Sequence, residues 1–129
     1  MIVLDTHIWI WWVSKSSKLT RDQQQYIQQH SSQGLGVSII SCWEVAKLVE
    51  KNRLDLSISV DRWLEKATNH SNVRVLDLTI PIIVRSTQLE GFHNDPADQI
   101  IVATAKIYDC PLLTADNKII NYPHVNTLD

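Results

Sequence analysis

The sequence predicts an α/β fold in which helices cover both faces of a central parallel sheet. Short apolar runs alternate along the chain with longer segments of helical character, the order expected of such a fold. Only three glycines and four prolines occur in 129 residues, so we expect regular elements with short connections. The length suits one domain over residues 1–129 with a sizeable core.

Five short apolar runs predict the strands. The first run is too short for a helix, and the third alternates apolar and polar residues, as a half-buried strand does. The predicted strands are Ile2–Asp5, Leu35–Ile40, Val73–Leu78, Leu112–Thr114 and Val125–Leu128.

Capping residues mark the starts of the helices that separate these strands. Thr20 and Gln23 have the spacing of a capping box, and so do Ser41 and Glu44. Asp95 precedes a proline, which favours the first position of a helix. The predicted helices are His7–Ser14 after a Thr6 cap, Thr20–Gln33, Ser41–Asn52, Ser59–His70, Thr79–Glu90, Asp95–Asp109 and Asn117–Asn121.

Composition and charge exclude several classes of protein. A net charge of −2 argues against binding nucleic acid through a generally basic surface. No apolar run approaches the ~20 residues of a membrane span, and Asp5 and His7 interrupt the first apolar stretch, so we expect neither a membrane segment nor a signal peptide. Cys42 and Cys110 match no ligand or disulfide pattern and predict reduced thiols in a cytoplasmic protein.

Four acidic residues from distant parts of the chain fall at one edge of the predicted sheet. Asp5 ends the first strand, and Asp116 follows the fourth. Glu44 and Asp98 lie in the first turns of helices. Because sites in open parallel sheets form at the carboxyl ends of the strands, we expect these four side chains to share one pocket.

Such a group of carboxylates indicates a site for a hard divalent cation. Like charges a few ångströms apart repel each other and raise each other's pKa, and a cation removes that conflict. Mg²⁺ prefers oxygen ligands, whereas the sequence has no Cys or His cluster that would suit zinc. The expected reaction is in-line attack of a metal-activated water on the phosphorus of a phosphodiester.

Each acid except Asp5 also has a purely structural interpretation. Glu44 can close a capping box with Ser41, Asp98 can complement the helix dipole, and Asp116 can cap the short helix after it. Asp5 is harder to explain structurally, because a charge that ends a buried strand costs free energy unless it is paired.

Several other residues can support this site. Asp95 reads first as an N-cap and second as a neighbour of the carboxylates. The hydroxyls of Thr6 and Thr114 can bind a metal water or a phosphate, or bond to the backbone instead. Lys47, with Lys51 and Arg53, can receive a substrate backbone or form a solvated helix face.

Histidines and tryptophans near these acids have less definite roles. His7 and His93 read more readily as surface residues than as general bases. Trp9, Trp11 and Trp12 crowd one short helix, which can bury one or two rings; an exposed ring would suit a protein contact.

Four segments contain the acids and their neighbours: MIVLDTHIWIWW, SIISCWEVAKLVEKNRLDL, HNDPADQIIVATAKIY and LLTADNKIINYPHV. In their order and spacing they resemble the motifs of PIN-domain proteins and, more narrowly, of VapC toxins. The resemblance implies a three-layer α/β/α PIN-like domain with a central parallel sheet. It also implies Mg²⁺- or Mn²⁺-dependent cleavage of RNA, with Asp5, Glu44, Asp98 and Asp116 as catalytic residues and metal ligands.

The same resemblance implies partners and shows one departure. VapC-like proteins are usually homodimers, and a cognate antitoxin protein neutralises them with a helical, often basic, segment. This branch commonly has Arg after the third acid, whereas this chain has Gln99. An arginine that pairs with a neighbouring carboxylate is therefore missing at that position.

Other classes of acidic-pocket protein fit less well. A phospho-receiver domain needs two acids at the end of its first strand, and a dehalogenase-type phosphatase needs a second Asp where His7 stands. A non-catalytic PIN-like module that binds RNA or protein stays open as the alternative, although the presence of all four acids argues against it.

Overall fold

In the computed structural model, which describes residues 1–129, strands and helices alternate as predicted. The strands are β1 (Ile2–Leu4), β2 (Leu35–Ser38), β3 (Val73–Leu76), β4 (Leu112–Leu113) and β5 (Thr127–Leu128). The α-helices are α1 (Thr6–Val13), α2 (Arg21–His30), α3 (Ile39–Glu50), α4 (Val60–Thr68), α5 (Ile80–Ser86), α6 (Pro96–Tyr108) and α7 (Asn117–Ile120), and a 3₁₀ turn at Ser31–Gln33 follows α2.

The five strands form one parallel sheet with β1 at its centre. Their order is β3-β2-β1-β4-β5. In the register of the sheet, Val3 pairs with Gly36 of β2 on one side and with Leu112 of β4 on the other. The chain therefore builds one half of the sheet and then crosses to the other side of β1. The carboxyl end of β1 is the switch point where open α/β sheets form their sites.

Alternation along β1 separates two hydrophobic cores. Ile2 and Leu4 belong to the larger cluster, which also contains Trp9 of α1 and Trp63 of α4. Val3 points to the other face, where a smaller cluster packs α6 and α7 against the sheet. Helices on both faces of a parallel sheet confirm the predicted three-layer α/β/α architecture.

Two helices begin at residues other than those predicted. Asp5, not Thr6, is the N-cap of α1, because its carboxylate accepts from the Thr6 amide. Helix α3 begins at Ile39 after a Ser38 N-cap, so the predicted capping box of Ser41 with Glu44 is wrong. β1 therefore ends one residue before its predicted end, and β2 ends two residues before its predicted end. In both cases the following helix begins earlier than predicted.

Other helix boundaries match the predicted caps more closely. The capping box at Thr20 is formed, and Thr79 and Asp95 each accept a hydrogen bond from the third residue of their helix. Ser59 precedes α4 but makes no capping bond to the backbone. Helix α5 ends at Ser86 rather than at the predicted Glu90.

Two expectations from composition can be compared with the structure. The longest α-helix has 13 residues, and none of the helices combines the length and apolarity that a membrane crossing requires. Cys42 and Cys110 are both free and half-buried, as expected of unpaired thiols.

Candidate active site

The carboxyl ends of β1 and β4 open into a cavity of about 290 Å³. Five carboxylates, two aromatic rings and one alanine line it: Asp5, Glu44, Asp95, Asp98, Asp116, His7, Trp11 and Ala115. The four predicted acids thus converge on one cavity. A larger groove of about 510 Å³ between α1 and α2 has no acidic residue in its lining and is separate from these carboxylates.

Asp5 is almost completely buried, with 6% exposure, and two donors hold its carboxylate. Its Oδ1 accepts from the Thr6 amide at 2.8 Å, and its Oδ2 accepts from the Thr114 hydroxyl at 2.7 Å. Thr114 Oγ1 in turn accepts from the Asp116 amide at 3.0 Å. Burial raises the pKa of Asp5, although both hydrogen bonds lower it. The fold therefore orients this carboxylate without help from a ligand.

Thr6 joins Glu44 of α3 to the end of the first strand. Its Oγ1 lies 2.5 Å from Glu44 Oε1 and 2.8 Å from Ser41 Oγ. Because a hydroxyl carries one proton, donation to the carboxylate leaves Ser41 to donate to Thr6. Burial raises the pKa of Glu44 and the Thr6 hydrogen bond lowers it, with smaller upward contributions from Asp5 and Asp95.

Asp98, in the first turn of α6, has a strongly raised pKa. Burial, as the larger cause, and the charges of the four other carboxylates of the cavity together raise it from 3.8 to about 8. His93 Nε2 lies 3.2 Å from Asp98 Oδ2, but its geometry does not make a hydrogen bond. Asp98 is mostly buried, with 14% of its side chain exposed, and its carboxylate accepts no hydrogen bond.

The other two carboxylates also cap helices. Asp116 Oδ1 accepts from the Lys118 amide at 2.9 Å, and Asp95 Oδ1 accepts from the Asp98 amide at 3.1 Å. Both predicted caps are therefore formed. Each cap uses one carboxylate oxygen, so a structural role for Asp95 or Asp116 does not exclude a second role for the other oxygen.

No lysine or arginine lines the cavity. Lys47, a predicted substrate contact, lies outside it on α3. Its Nζ pairs with Glu50 Oε1 at 2.9 Å and lies 5.8 Å from the centroid of the Trp43 ring. The five carboxylates therefore face each other without a lysine or arginine to neutralise them.

The convergence of these acids can be compared with known proteins. The PIN domain family model matches residues 2–125. The chain belongs to the PIN domain family. Ribonuclease VapC22 of Mycobacterium tuberculosis (strain ATCC 25618 / H37Rv) is 33% identical over 124 residues, which cover 95% of this chain and 92% of that protein.

Solved structures share the PIN-domain fold of this chain at low sequence identity. VapBC2 from Rickettsia felis, bound to a DNA fragment from their promoter, has a TM-score of 0.73 and 17% identity, covering 99% of this chain and 98% of that one. A toxin-antitoxin complex from Klebsiella pneumoniae has a TM-score of 0.68 and 19% identity, covering 100% of this chain and 97% of that one. These similarities confirm the predicted fold.

The donor set of this PIN-domain cavity suits a hard divalent cation. Its carboxylates supply oxygen ligands, and no cysteine lines it. No three His, Cys, Asp or Glu side chains are arranged to hold an ion by themselves. Mg²⁺ is typically held by one or two carboxylates together with waters and substrate phosphates, so an open arrangement of acids fits its chemistry.

His93, which the sequence suggested as a surface residue, is packed against other side chains in the loop before α6 of this PIN domain. The Phe92 ring packs 4.4 Å from the His93 ring and 4.8 Å from the Tyr122 ring. Gln99, the departure from the common arginine, donates from Nε2 to the His93 carbonyl at 2.9 Å. These contacts hold His93 against Asp98. The aromatic neighbour Phe92 was the one available signal in the sequence.

The tryptophans of α1 have three different environments. Trp9 is fully buried and meets Trp63 edge-on with 5.2 Å between ring centroids. Trp12 packs similarly against His70 at 4.8 Å. Trp11 is half-buried and lines the acidic cavity. The prediction that the helix buries one or two rings is confirmed by Trp9. The protein contact of an exposed ring stays a prediction, and the position of Trp11 in the cavity lining was not predicted.

Proposed function

We propose that this PIN-domain protein is a metal-dependent endoribonuclease that hydrolyses RNA phosphodiester bonds at the acidic cavity. The observation that carries the proposal is the convergence of Asp5, Glu44, Asp98 and Asp116 in one cavity without a neutralising lysine or arginine. Burial first, and then the charges of the neighbouring carboxylates, raise the pKa of Asp98 to about 8. The relative at 33% identity is named a ribonuclease, which supports RNA as the substrate.

These four acids are the proposed ligands of Mg²⁺ or Mn²⁺ and the proposed catalytic residues. A bound divalent ion would supply a water of lowered pKa and would stabilise charge on the phosphoryl and leaving oxygens. Neutralisation of the carboxylates would also allow a negatively charged RNA backbone to approach the cavity.

The remaining residues of the site orient these acids in our proposal. Thr114 holds Asp5 and the amide of Asp116, and Thr6 holds Glu44. Asp95 caps α6 and adds negative charge beside Glu44 and Asp98. Lys47 is proposed to contact RNA only beyond the cavity, because its side chain lies outside it.

The direct test is cleavage of a mixed RNA pool by the purified protein with Mn²⁺, compared with the same reaction in EDTA. We expect cleavage with the metal and none in EDTA. Asp98→Asn should reduce cleavage by at least about a hundredfold, the scale for removal of one preorganised catalytic group. Asp55→Asn is the matched control, because Asp55 is exposed in the loop after α3 and outside the cavity.

The alternative is a PIN-like module that binds RNA or protein without cutting. Absence of cleavage with either metal, combined with RNA binding that Asp98→Asn leaves unchanged, would favour it. Cleavage that survives Asp5→Asn and Asp98→Asn would instead point to a contaminating nuclease.

We further propose that the protein is the toxin of a toxin–antitoxin pair in the cytoplasm. One structural neighbour is a toxin-antitoxin complex, and the acidic cavity suits a partner segment with basic side chains. The expected partner is a small DNA-binding protein whose gene lies directly upstream. Co-purification of that protein and inhibition of cleavage by it would test the pairing.

We propose that the protein is a homodimer and that each of its chains is a single domain. Three apolar side chains of the short helix α5 are exposed: Ile80 by 77%, Ile83 by 45% and Val84 by 46%. An apolar patch of this kind is typical of a protein contact. Light scattering should give twice the chain mass, and Ile80→Ser with Ile83→Ser should reduce it to the mass of one chain.

A further inference from the structure

We propose that Trp11, with the tilted His7 ring beside it, forms a stacking platform for an unpaired nucleobase next to the scissile phosphate. The proposal rests on the function proposed above and specifies its substrate as RNA that is single-stranded at the cut. A base must leave its own stack before it can lie on a protein ring, so loops and single strands are the favoured targets.

The placement of the two rings is the first argument. His7 and Trp11 lie four residues apart on α1, so they share a face of that helix. Their ring centroids are 6.0 Å apart with an interplanar angle of 54°. Both rings line the same cavity as Asp5, which caps the first turn of this helix. A group stacked here lies beside the carboxylates.

The environment of Trp11 is the second argument. Its ring packs partly against the larger hydrophobic core and partly borders the cavity. Trp9 and Trp63 show that this fold can bury indole rings completely or nearly so. Trp11 instead offers a fixed apolar surface to an otherwise acidic site, held by the core behind it.

The charge of the cavity is the third argument. Five of its eight lining residues are acids, and none is lysine or arginine. The cavity therefore has no lysine or arginine side chain that could bind a phosphate backbone. The rings of His7 and Trp11 are the planar surfaces in the lining. Stacking on an aromatic ring requires no charge and accepts any base.

The experiment is a double-mutant cycle between the enzyme and its RNA. The cut site is first mapped in a mixed RNA with Mn²⁺, and a short single-stranded RNA containing it is then made with one abasic ribose at each flanking position in turn. We expect one position where removal of the base lowers kcat/KM of the wild type about tenfold, the scale of a single base–aromatic stack.

The variant Trp11→Leu should lower kcat/KM on the intact RNA by a similar factor and should be insensitive to the abasic ribose at that position. Trp11→Phe should restore most of the sensitivity, because it keeps an aromatic face. Trp43→Leu is the matched control: Trp43 is 53% exposed beside Glu44 but does not line the cavity. Thermal unfolding verifies that each variant is folded.

Equal abasic losses in the wild type and in Trp11→Leu would overturn the platform while leaving the nuclease intact. If the wild type does not cleave at all, the proposed function fails and no cut site can be mapped; the platform is then judged by fluorescence anisotropy of a labelled single-stranded RNA of mixed sequence. Binding that Trp11→Leu weakens and Trp43→Leu does not would support the platform. Absence of binding by the wild type, or equal binding by all variants, would overturn it.

Discussion

The two sides of the acidic cavity differ in how their carboxylates are held. On the strand side, Asp5 accepts hydrogen bonds from the Thr6 amide and the Thr114 hydroxyl. On the helix side, the carboxylate of Asp98 accepts no hydrogen bond, although His93 Nε2 lies 3.2 Å from its Oδ2, and burial with its acidic neighbours raises its pKa to about 8. The fold thus holds one carboxylate by hydrogen bonds and leaves the other without them, although burial raises the pKa of both.

This difference indicates where a ligand would contribute most. A carboxylate that already accepts hydrogen bonds gains little stabilisation from a bound cation other than the attraction between opposite charges. A buried carboxylate without such partners costs free energy until a proton or a cation neutralises it. We infer that the proposed metal ion would stabilise the helix side of the site more than the strand side, which the hydrogen bonds of Asp5 already hold in place.

The largest expected effect separates stability from activity at Asp98. In metal-free buffer at pH 8, Asp98→Asn should raise the melting temperature by at least about 5 °C, because it removes a buried charge from among four others. The same variant should lose cleavage. Asp55→Asn should change neither, and a drop in the melting temperature of Asp98→Asn would show that its carboxylate stabilises the fold.

The second effect is the pH dependence of metal-free stability. The pKa of Asp98 is about 8 in the folded state, against an ordinary 3.8. Between these values the folded protein binds a proton that the unfolded chain does not, so stability should fall as pH rises from about 4 to about 8 and then level off. Calorimetry in EDTA should show this fall, and Asp98→Asn should make it smaller, leaving the part due to Asp5 and Glu44, whose pKa values burial also raises.

Addition of Mg²⁺ provides the complementary measurement. The increase in melting temperature on adding the ion should be greater at pH 8 than at pH 5, because the ion must displace the Asp98 proton at the lower pH. An increase that is the same at both values would contradict binding at this carboxylate.

The third effect tests the strand side. Thr114→Val keeps the shape of the side chain but leaves Asp5 Oδ2 and the Asp116 amide without their partner, so the free energy of unfolding should fall by about 1–3 kcal/mol. Urea unfolding measures it. Thr104→Val is the control, since that buried hydroxyl only bonds the Ile100 carbonyl within α6. If both variants lose the same free energy of unfolding, the contacts of Thr114 with Asp5 and Asp116 stabilise the fold no more than an ordinary buried hydroxyl does.

The smallest effect concerns the loop beside the helix side. Gln99→Ala removes the hydrogen bond to the His93 carbonyl, and the free energy of unfolding should fall by roughly 0.5–1.5 kcal/mol. Cleavage should fall only a few-fold, because Asp98 itself is retained. A loss as large as that of Asp98→Asn would instead place Gln99 among the groups essential to the reaction.

Much of this fold was predictable from local pattern. The strands around Val3, Val73 and Leu112 and the caps at Thr20 and Asp95 follow from periodicity and capping chemistry, which act between neighbours in the chain. The edge shared by the four acids also followed, because parallel strands bring their carboxyl ends together.

Tertiary structure decided what depends on residues far apart in sequence. Ser41 and Glu44 fit a capping box, yet α3 begins earlier, at Ile39 after the Ser38 N-cap. The side chains of Ser41 and Glu44 contact the Thr6 hydroxyl instead. Three neighbouring tryptophans look alike in sequence, but Trp11 lines the cavity because of its place on α1 relative to Asp5.

The sequence by itself determined the order of strands and helices, most of the caps and the identity of the four acids. Only the tertiary structure decided which carboxylate is hydrogen-bonded and which is in conflict, because desolvation and charge repulsion depend on distances between segments that the chain order does not specify. The pKa of Asp98 is such a property, since its causes include burial and the charges of Asp5, Glu44 and Asp116.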